Sequence, residues 1–255
     1  MIETSHLIDT PIIGGDGADR PFTLPEKLRI YSIIVLIPLA IVPFLVLGAF
    51  LRTFPSFPPL WPGFWSFEAS LMISYLISVS LLIEYPRIIR LRASKIIPDN
   101  KDSAEERRFH DVTSALFIPG FFLMPWDAVG RRTEFPILLN LLGSLCIIGS
   151  AVWIALVFRS NQYASRVVCR QQDQKLIQDG PYSIVRHPMY MGLIPFFLGM
   201  PLSLGSYWGL IPMLILEFMM AYRTYAEERF LVETFGEDYE QYRQRVTFKM
   251  VPFVF

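Results

Sequence analysis

Two polar clusters in the last third of the sequence contain residue types that could do chemistry. The first is the stretch DGPYSIVRHPMYMG at 179–192, which includes Arg186 and His187. The second is a stretch rich in charged residues at 223–242. An arginine and a histidine at the start of a helix favour an anion, whereas a carboxylate suits an ammonium or a hydroxyl group. The two clusters together could therefore hold a ligand that carries both kinds of group.

The first cluster also has a purely structural interpretation. Gly180 and Pro181 set a tight turn, and after Pro188 an apolar helix opens with Tyr190 and Gly192. Arg186 and His187 could then be anchors at a membrane surface that cap a transmembrane helix. The residue types alone leave both interpretations open.

The second cluster has the same two interpretations. Arg223 and Glu227 stand four positions apart, so on a helix they share one face. They could form an ion pair on a solvated face, or they could bind an anionic group and a hydroxyl or ammonium group of a ligand. Farther on, Gly236 predicts that one helix stops and another begins. The second of these helices could be a lid or a structural element.

Several standard kinds of site are excluded by the sequence. The three histidines, His6, His110 and His187, have no metal-binding spacing, and Cys146 and Cys169 form neither a disulfide framework nor a metal-ligand pair. The chain also lacks a GxGxxG fingerprint, a P-loop and a GxSxG motif. We therefore expect no metal site, and no nucleotide site of the soluble doubly wound kind.

Composition indicates a membrane protein. Of the 255 residues, 53% are hydrophobic and only 18% are charged. The 23 basic residues are balanced by 23 acidic ones, so there is no cationic excess to attract nucleic acid. We expect membrane helices and no nucleic-acid partner.

Five apolar runs predict the helices that position the two clusters. They lie at 30–51, 67–85, 112–126, 135–158 and 189–222. The third run is short and interrupted by two prolines and a glycine, so it could be a broken span or an interfacial hairpin. The fifth is too long for one crossing, and a proline and two glycines near its middle predict a helical hairpin. The predicted fold class is all-α, a polytopic transmembrane bundle of five to six crossing helices whose last two form the hairpin.

The fourth run contains small residues that would let another helix approach closely. They are Gly143, Ser144, Gly149, Ser150 and Ala151. We therefore expect the helix at 135–158 to pack tightly against a neighbour.

The sequence divides into three parts with a predicted orientation. Residues 1–29 are predicted to be a flexible cytosolic leader, 30–170 the first spans with their loops, and 171–255 a C-terminal core. With this leader in the cytosol, only three of the 23 basic residues lie on the opposite side of the membrane, namely Arg52, Arg131 and Arg132. Both polar clusters then face the cytosol, from the endoplasmic reticulum membrane of a eukaryote or the inner membrane of a bacterium.

The two clusters and the hairpin between them resemble the C-terminal core of the isoprenylcysteine carboxyl methyltransferase family. The resemblance spans about 171–251 and consists of RHPxYxG, a gap of hairpin length, and EERxL followed by FGxxYxxYxxRV. It implies an integral membrane enzyme that uses S-adenosyl-L-methionine. It also implies a bundle of transmembrane helices with a cytosolic cofactor pocket in the C-terminal region.

The resemblance further implies roles for individual residues. Ten of them would bind the methyl donor: Gln174, Lys175, Leu176, Ile177, Tyr182, His187, Pro188, Met189, Tyr190 and Glu227. Arg223 would be catalytic and would bind the carboxylate of the acceptor, and Arg186 could support either role. The implied acceptor is the carboxylate of a C-terminal prenylated cysteine, so that the reaction would be carboxyl methylation of a prenylated protein.

Methyl transfer from a sulfonium to a carboxylate is an in-line displacement that neutralises both charges, so it needs positioning and exclusion of water rather than a general base. Three alternatives remain open from the sequence. A lipid acceptor would make the protein a phospholipid N-methyltransferase, which would need a group to take a proton. A sterol-reductase-like oxidoreductase would use NADPH. A non-enzymatic membrane scaffold would tolerate alanine at Arg186, His187 and Glu227.

Overall fold

Helices make up nearly all regular structure in residues 20–53, 61–94, 104–131, 134–164 and 174–255, the part of the chain that the computed structural model describes. The α-helices are α1 (Leu24–Thr53), α2 (Pro62–Leu82), α3 (Pro86–Ser94), α4 (Ala104–Arg131), α5 (Ile137–Ser160), α6 (Pro188–Leu204), α7 (Leu210–Phe235) and α8 (Glu237–Arg245). A short 3-10 helix at Gly180–Ser183 precedes α6. These residues contain no strand, and the predicted all-α class is confirmed.

Three segments within these ranges are long and apolar enough to cross a membrane. They are Pro62–Leu82, Arg107–Gly130 and Ile137–Ser160, of 21, 24 and 24 residues. At 1.5 Å per residue each reaches roughly 30 Å, the thickness of the hydrocarbon core. Two shorter apolar segments, Ala40–Thr53 and Pro188–Leu204, accompany them. Large apolar side chains on α5 and α7 are exposed, Leu145 and Phe218 among them, as expected of surfaces that face lipid.

The third apolar run forms one continuous helix. Sequence analysis left a broken span and an interfacial hairpin open, but α4 passes through Pro119 and Pro125 without interruption, so the hairpin alternative is wrong. The helix is also longer than the apolar run at 112–126, because the largely polar residues 104–111 form its first two turns. Next to Pro119, α4 packs closely against α7, because a Cβ on Gly120 would lie 2.9 Å from Pro212.

The long final run forms the predicted hairpin of α6 and α7. Gly205 ends α6 with a φ of +89°, a left-handed conformation that glycine adopts without steric cost. The turn is fixed from α4, where Asp127 Oδ2 accepts hydrogen bonds from Ser206 Oγ at 3.0 Å and from the backbone of Trp208 at 3.1 Å. This buried carboxylate therefore ties the hairpin turn to the third long helix.

Small residues let α5 approach α6 as predicted. A Cβ on Gly143 would lie 2.4 Å from the backbone nitrogen of Ser203 in α6, closer than packed atoms can come. Ser144 Oγ lies 2.7 Å from Ser203 Oγ, and Ser150 Oγ donates to a glycine carbonyl of α6 at 2.7 Å. Gly149 is different, because nothing lies within 4 Å of a Cβ placed there. The prediction is confirmed at three positions, and Gly149 plays no part in this contact.

Both polar clusters lie at one end of the bundle. There the start of α1 meets the end of α2 through an ion pair between Lys27 and Glu84 at 2.8 Å. The end of α5 reaches the first cluster, because Asn161 Nδ2 donates to the hydroxyl of Tyr182 at 2.9 Å. The α6–α7 turn lies at the opposite end. Within the leader, 1–19 lie outside the described residues, as do Cys169 and Arg132.

Candidate active site

A cavity opens between the two clusters at this end of the bundle. The cavity and its open mouth together enclose about 940 Å³ of space, part of which is continuous with solvent. Its walls are the end of α5, the extended stretch at 174–177, the loop before α6, the charged end of α7, and α8. The chain therefore brings segments far apart in sequence around one concave space.

Every residue singled out from the sequence for donor or acceptor binding lines this cavity. They are Gln174, Lys175, Leu176, Ile177, Tyr182, Arg186, His187, Pro188, Met189, Tyr190, Arg223 and Glu227. Eight further residues that sequence reasoning did not assign also line it: Asn161, Tyr163, Ala164, Phe230, Leu231, Phe235, Tyr239 and Tyr242. Four of these eight carried a signal, because they are fixed letters of the quoted motifs: Leu231 of EERxL, and Phe235, Tyr239 and Tyr242 of FGxxYxxY.

His187 caps the start of α6 and lies between two carboxylates. Its backbone nitrogen donates to the carbonyl of Lys249 at 2.8 Å, which anchors the loop to the C-terminal segment. Its side chain is only 3% exposed, with Nδ1 3.5 Å from Glu227 Oε2 and Nε2 3.4 Å from Glu228 Oε1. Burial alone would lower the pKa of His187, but its contacts with Glu227 and Glu228 outweigh burial and raise it. The site therefore favours the imidazolium form.

Arg186 is held beneath the cavity by three acceptors. Its Nε donates to Glu228 Oε1 at 2.7 Å, and its Nη1 donates to the carbonyls of Val246 and Thr247, both at 2.7 Å. The backbone nitrogen of Arg186 donates in turn to the carbonyl of Phe248 at 3.0 Å. These bonds fasten the loop that leads through Arg186 and His187 into α6, the RHP loop, to α7 and to the segment after α8. They hold these walls of the cavity in place.

Glu228 is the common partner of this buried charge network. Besides Arg186 and His187 it meets Lys249 Nζ, 3.2 Å from Oε2. Burial raises the pKa of Glu228, but its contacts with His187 and Arg186 outweigh this and lower it to about 2. Glu228 therefore stays ionised. In the sequence Glu228 is only the second glutamate of the EERxL motif, and no role was predicted for it.

Three buried polar atoms around the cavity have no hydrogen-bond partner among the described residues. They are Glu227 Oε2, His187 Nε2 and the hydroxyl oxygen of Tyr239. Burial raises the pKa of Glu227, but His187 and then Arg223 outweigh it, so the net shift is downward and the carboxylate is ionised. Because buried polar atoms in proteins are nearly always paired, such atoms in a cavity wall suit a ligand with donors and acceptors of its own. The residues present fit a zwitterionic ligand such as S-adenosyl-L-methionine.

Arg223 borders the cavity from the side of α7. Its Cζ lies 4.4 Å from the ring centroid of Phe109 at the start of α4, a cation–π contact. Glu227 follows one helical turn later on the same wall. A cation and a carboxylate are thus presented side by side, as their spacing predicted.

Apolar and aromatic side chains complete the wall. Leu176, Phe230 and Phe235 offer surfaces for a flat ring. Tyr182 is held from two sides, since its hydroxyl accepts a bond from Asn161 at 2.9 Å and its carbonyl accepts one from Tyr242 at 2.7 Å. Among the described residues no group of three or more histidine, cysteine, aspartate or glutamate side chains could hold a metal ion.

Comparison with known proteins places the similarity over this part of the chain. Residues 138–238 match the family model described as phospholipid methyltransferase. The protein-S-isoprenylcysteine O-methyltransferase of Schizosaccharomyces pombe is 37% identical over 108 residues, which are 41% of this chain and 45% of that protein. Protein-S-isoprenylcysteine O-methyltransferase B of Arabidopsis thaliana is 35% identical over 86 residues, 33% of this chain and 43% of that protein. The chain spans about half the length of the curated relatives it matches.

A solved structure shares the overall fold. It is a eukaryotic intramembrane methyltransferase, isoprenylcysteine carboxyl methyltransferase, and the superposition covers 91% of this chain and 82% of that one. The TM-score is 0.52 at 17% sequence identity, so this likeness concerns the fold. The resemblance predicted from the two motifs is confirmed over the C-terminal part, and the predicted membrane-bundle fold is confirmed for the chain.

Proposed function

We propose that the protein transfers a methyl group from S-adenosyl-L-methionine to the carboxylate of a prenylated C-terminal cysteine. One observation carries this proposal: Arg223 and Glu227, one helical turn apart, border the same cavity as the start of α6 from His187 to Tyr190. That cavity lies at the end of an apolar bundle, where a lipid tail can remain in the membrane while its polar end reaches the site. Two relatives named for this reaction are 37% and 35% identical to the chain over 108 and 86 residues.

The stretch 174–177 and Tyr182 would hold the donor on one side, and His187, Pro188, Met189 and Tyr190 on the other. Glu227 would accept a hydrogen bond from the donor's ammonium or hydroxyl groups, because its Oε2 is buried and has no hydrogen-bond partner among the described residues. When bound, the donor supplies an activated methyl group on a positively charged sulfur. What the chain contributes is position and the exclusion of water.

Arg223 would orient the acceptor. A guanidinium binds a carboxylate through two parallel hydrogen bonds, which fixes the direction of the attacking oxygen. Arg186 would act differently in this scheme, as a positioning residue, because its donors engage Glu228 and the carbonyls after α8. It would hold the RHP loop at the right distance from α7.

A second acceptor class is suggested by the matched family model, whose description names phospholipid. Methylation of a phospholipid amine requires a group that takes up a proton. His187 is poorly suited to that task, because Glu227 and Glu228 favour its protonated form. A carboxylate acceptor needs no base, and this favours the prenylcysteine.

The catalytic part in this proposal comprises residues 171–255 and the end of α5, preceded by the leader at 1–29 and the spans of 30–170. Its cavity would face the cytosol, since both clusters lie at the end of the bundle opposite Arg52 and the α6–α7 turn. The membrane would be that of the endoplasmic reticulum in a eukaryote or the inner membrane in a bacterium. The partners would be lipidated proteins rather than nucleic acids or metals.

Calorimetric titration of detergent-purified protein with S-adenosylhomocysteine tests the donor, with NADPH titrated in parallel. We expect saturable binding of S-adenosylhomocysteine and none of NADPH. Methyl transfer to N-acetyl-S-farnesylcysteine and to phosphatidylethanolamine, followed by mass spectrometry, then tests the acceptor. Binding of NADPH alone would support an oxidoreductase instead. Binding of neither by folded protein would support a scaffold.

A further inference from the structure

Tyr239 is a buried tyrosine on the wall of the cavity. It lies in the first turn of α8, is 1% exposed and lines the cavity. Its hydroxyl oxygen is buried and has no hydrogen-bond partner among the described residues. A phenylalanine would fill the same space, so packing alone does not explain a tyrosine here.

Tyr242, one turn later on the same helix, provides a direct contrast. It is 2% exposed, its ring centroid lies 5.8 Å from that of Tyr239, and it also lines the cavity. Its hydroxyl, however, donates to the carbonyl of Tyr182 at 2.7 Å. The two neighbouring tyrosines are packed similarly and differ in one respect. The hydroxyl of Tyr242 donates a hydrogen bond within the protein, whereas that of Tyr239 has no partner among the described residues.

The charges near Tyr239 determine what its hydroxyl can do. Burial, followed by the negative charge of Glu228, raises the pKa of Tyr239 above its usual range. The hydroxyl therefore keeps its proton and can donate a hydrogen bond. The carboxylate of Glu227 on the same cavity offers the opposite capacity, that of an acceptor.

We propose that the Tyr239 hydroxyl donates a hydrogen bond to an oxygen of the methyl donor, in its amino-acid carboxylate or its ribose. This inference rests on the proposed function. Glu227 would accept hydrogen bonds from S-adenosyl-L-methionine, and Tyr239 would donate one to an oxygen of the same molecule. Tyr239 thereby becomes a donor-binding residue in addition to those expected from the sequence.

The test compares Tyr239→Phe with the parent protein by calorimetry with S-adenosylhomocysteine and by thermal unfolding without ligand. We expect Tyr239→Phe to bind roughly 10- to 100-fold more weakly if the partner is the charged carboxylate, and roughly 2- to 10-fold more weakly if it is a ribose oxygen. Its unfolding temperature without ligand should stay the same or rise, because an unpaired buried hydroxyl has been removed. Tyr242→Phe is the stability control, and its unfolding temperature should fall because the carbonyl of Tyr182 loses its donor.

A second titration with 5'-methylthioadenosine, which has the ribose hydroxyls but lacks the amino-acid carboxylate, identifies the oxygen. If Tyr239→Phe binds this compound as the parent does, the partner is the carboxylate; if it binds more weakly, the partner is the ribose. Equal S-adenosylhomocysteine affinity of parent and Tyr239→Phe overturns the inference and leaves the proposed function intact. An unfolding temperature that falls as far as in Tyr242→Phe also overturns it, since the hydroxyl would then be structural. Failure of the parent to bind S-adenosylhomocysteine refutes the proposed function itself.

Discussion

Arg186 Nε donates a hydrogen bond of 2.7 Å to Glu228 Oε1, joining the loop before α6 to the charged end of α7. Both side chains are almost fully buried, at 5% and 9% exposure. Removing one partner of a buried pair leaves an uncompensated charge, which typically costs about 3–5 kcal/mol. The geometry of the cavity therefore depends on this pair.

We expect Glu228→Ala to lower the unfolding temperature in detergent strongly and to weaken S-adenosylhomocysteine binding as a consequence. The control is Arg243→Ala, which breaks an exposed pair with Glu240 in which the side chains are 45% and 36% exposed. Such surface pairs contribute about 0–1 kcal/mol. Equal effects of the two substitutions would show that the buried pair has no special importance for stability.

Substitutions at Arg223 and Glu227 should affect different quantities, turnover for Arg223 and donor affinity for Glu227. Arg223→Ala should reduce turnover far more than donor affinity, and Arg223→Lys should restore only part of the turnover because a point charge lacks the planar fork. Glu227→Ala, like His187→Ala, should weaken S-adenosylhomocysteine binding in protein that is still folded. Steady-state kinetics combined with calorimetry checks both. Full turnover in either Arg223 variant would remove its role at the acceptor carboxylate.

Two glycines of α5 form a matched pair for helix packing. Gly143→Ala should destabilise the bundle, because the added Cβ would lie 2.4 Å from the backbone nitrogen of Ser203. Gly149→Ala should be neutral or stabilising, because its Cβ meets nothing within 4 Å and alanine favours helix by up to about 1 kcal/mol. Thermal unfolding of the two variants checks the difference. A lower unfolding temperature for Gly149→Ala than for Gly143→Ala would contradict the packing described.

The charge network predicts a fall in stability at both ends of the pH range. The pKa of Glu228 is lowered from 4.5 to about 2, so its contribution is complete above pH 4.5 and is lost as the pH falls towards 2. The pKa of His187 is raised from 6.5, so its contribution is complete below pH 6.5 and is lost as the pH rises through the raised value. Unfolding temperature measured against pH checks both limbs. In Glu228→Gln the unfolding temperature should fall less at acid pH, and in His187→Gln it should fall less at alkaline pH. If the pH dependence stays the same in these variants, other groups cause it.

Glu217 lies in the apolar part of α7, and both its carboxylate oxygens are buried without a hydrogen-bond partner among the described residues. A polar group in such surroundings is costly to bury. We expect Glu217→Leu to raise the unfolding temperature by the equivalent of about 1–3 kcal/mol with turnover retained. A loss of turnover at unchanged stability would instead mean that this carboxylate meets the acceptor.

Local signals were sufficient to predict much of the architecture. Gly236 was expected to end one helix and begin another, and it does so with a φ of +55° between α7 and α8. The apolar run at 189–222 was expected to fold back on itself, and Gly205 provides the turn. The ends of α4 could not be predicted as well. Its first turns are polar and have no apolar pattern, and its prolines suggested a break in the helix.

The residues of the candidate site could also be predicted in part from local sequence patterns. Arg223 and Glu227 share a helix face by their spacing alone, and the structure places both on the cavity. The backbone partners of Arg186 and His187 could not have been predicted, because they are carbonyls about 60 positions later in the chain. Tyr239 was noted only as part of a motif, since burial of an unpaired hydroxyl is visible only in three dimensions.

The pairing of the RHP loop with the segment after α8 also bears on biosynthesis. Arg186 reaches the carbonyl of Val246, 60 positions away, across a hairpin that must first enter the bilayer. A nascent chain that has exposed its RHP loop but has not yet inserted α7 lacks Glu228 and these carbonyls. The pocket can therefore be completed only after the segment that follows α8 has been synthesised.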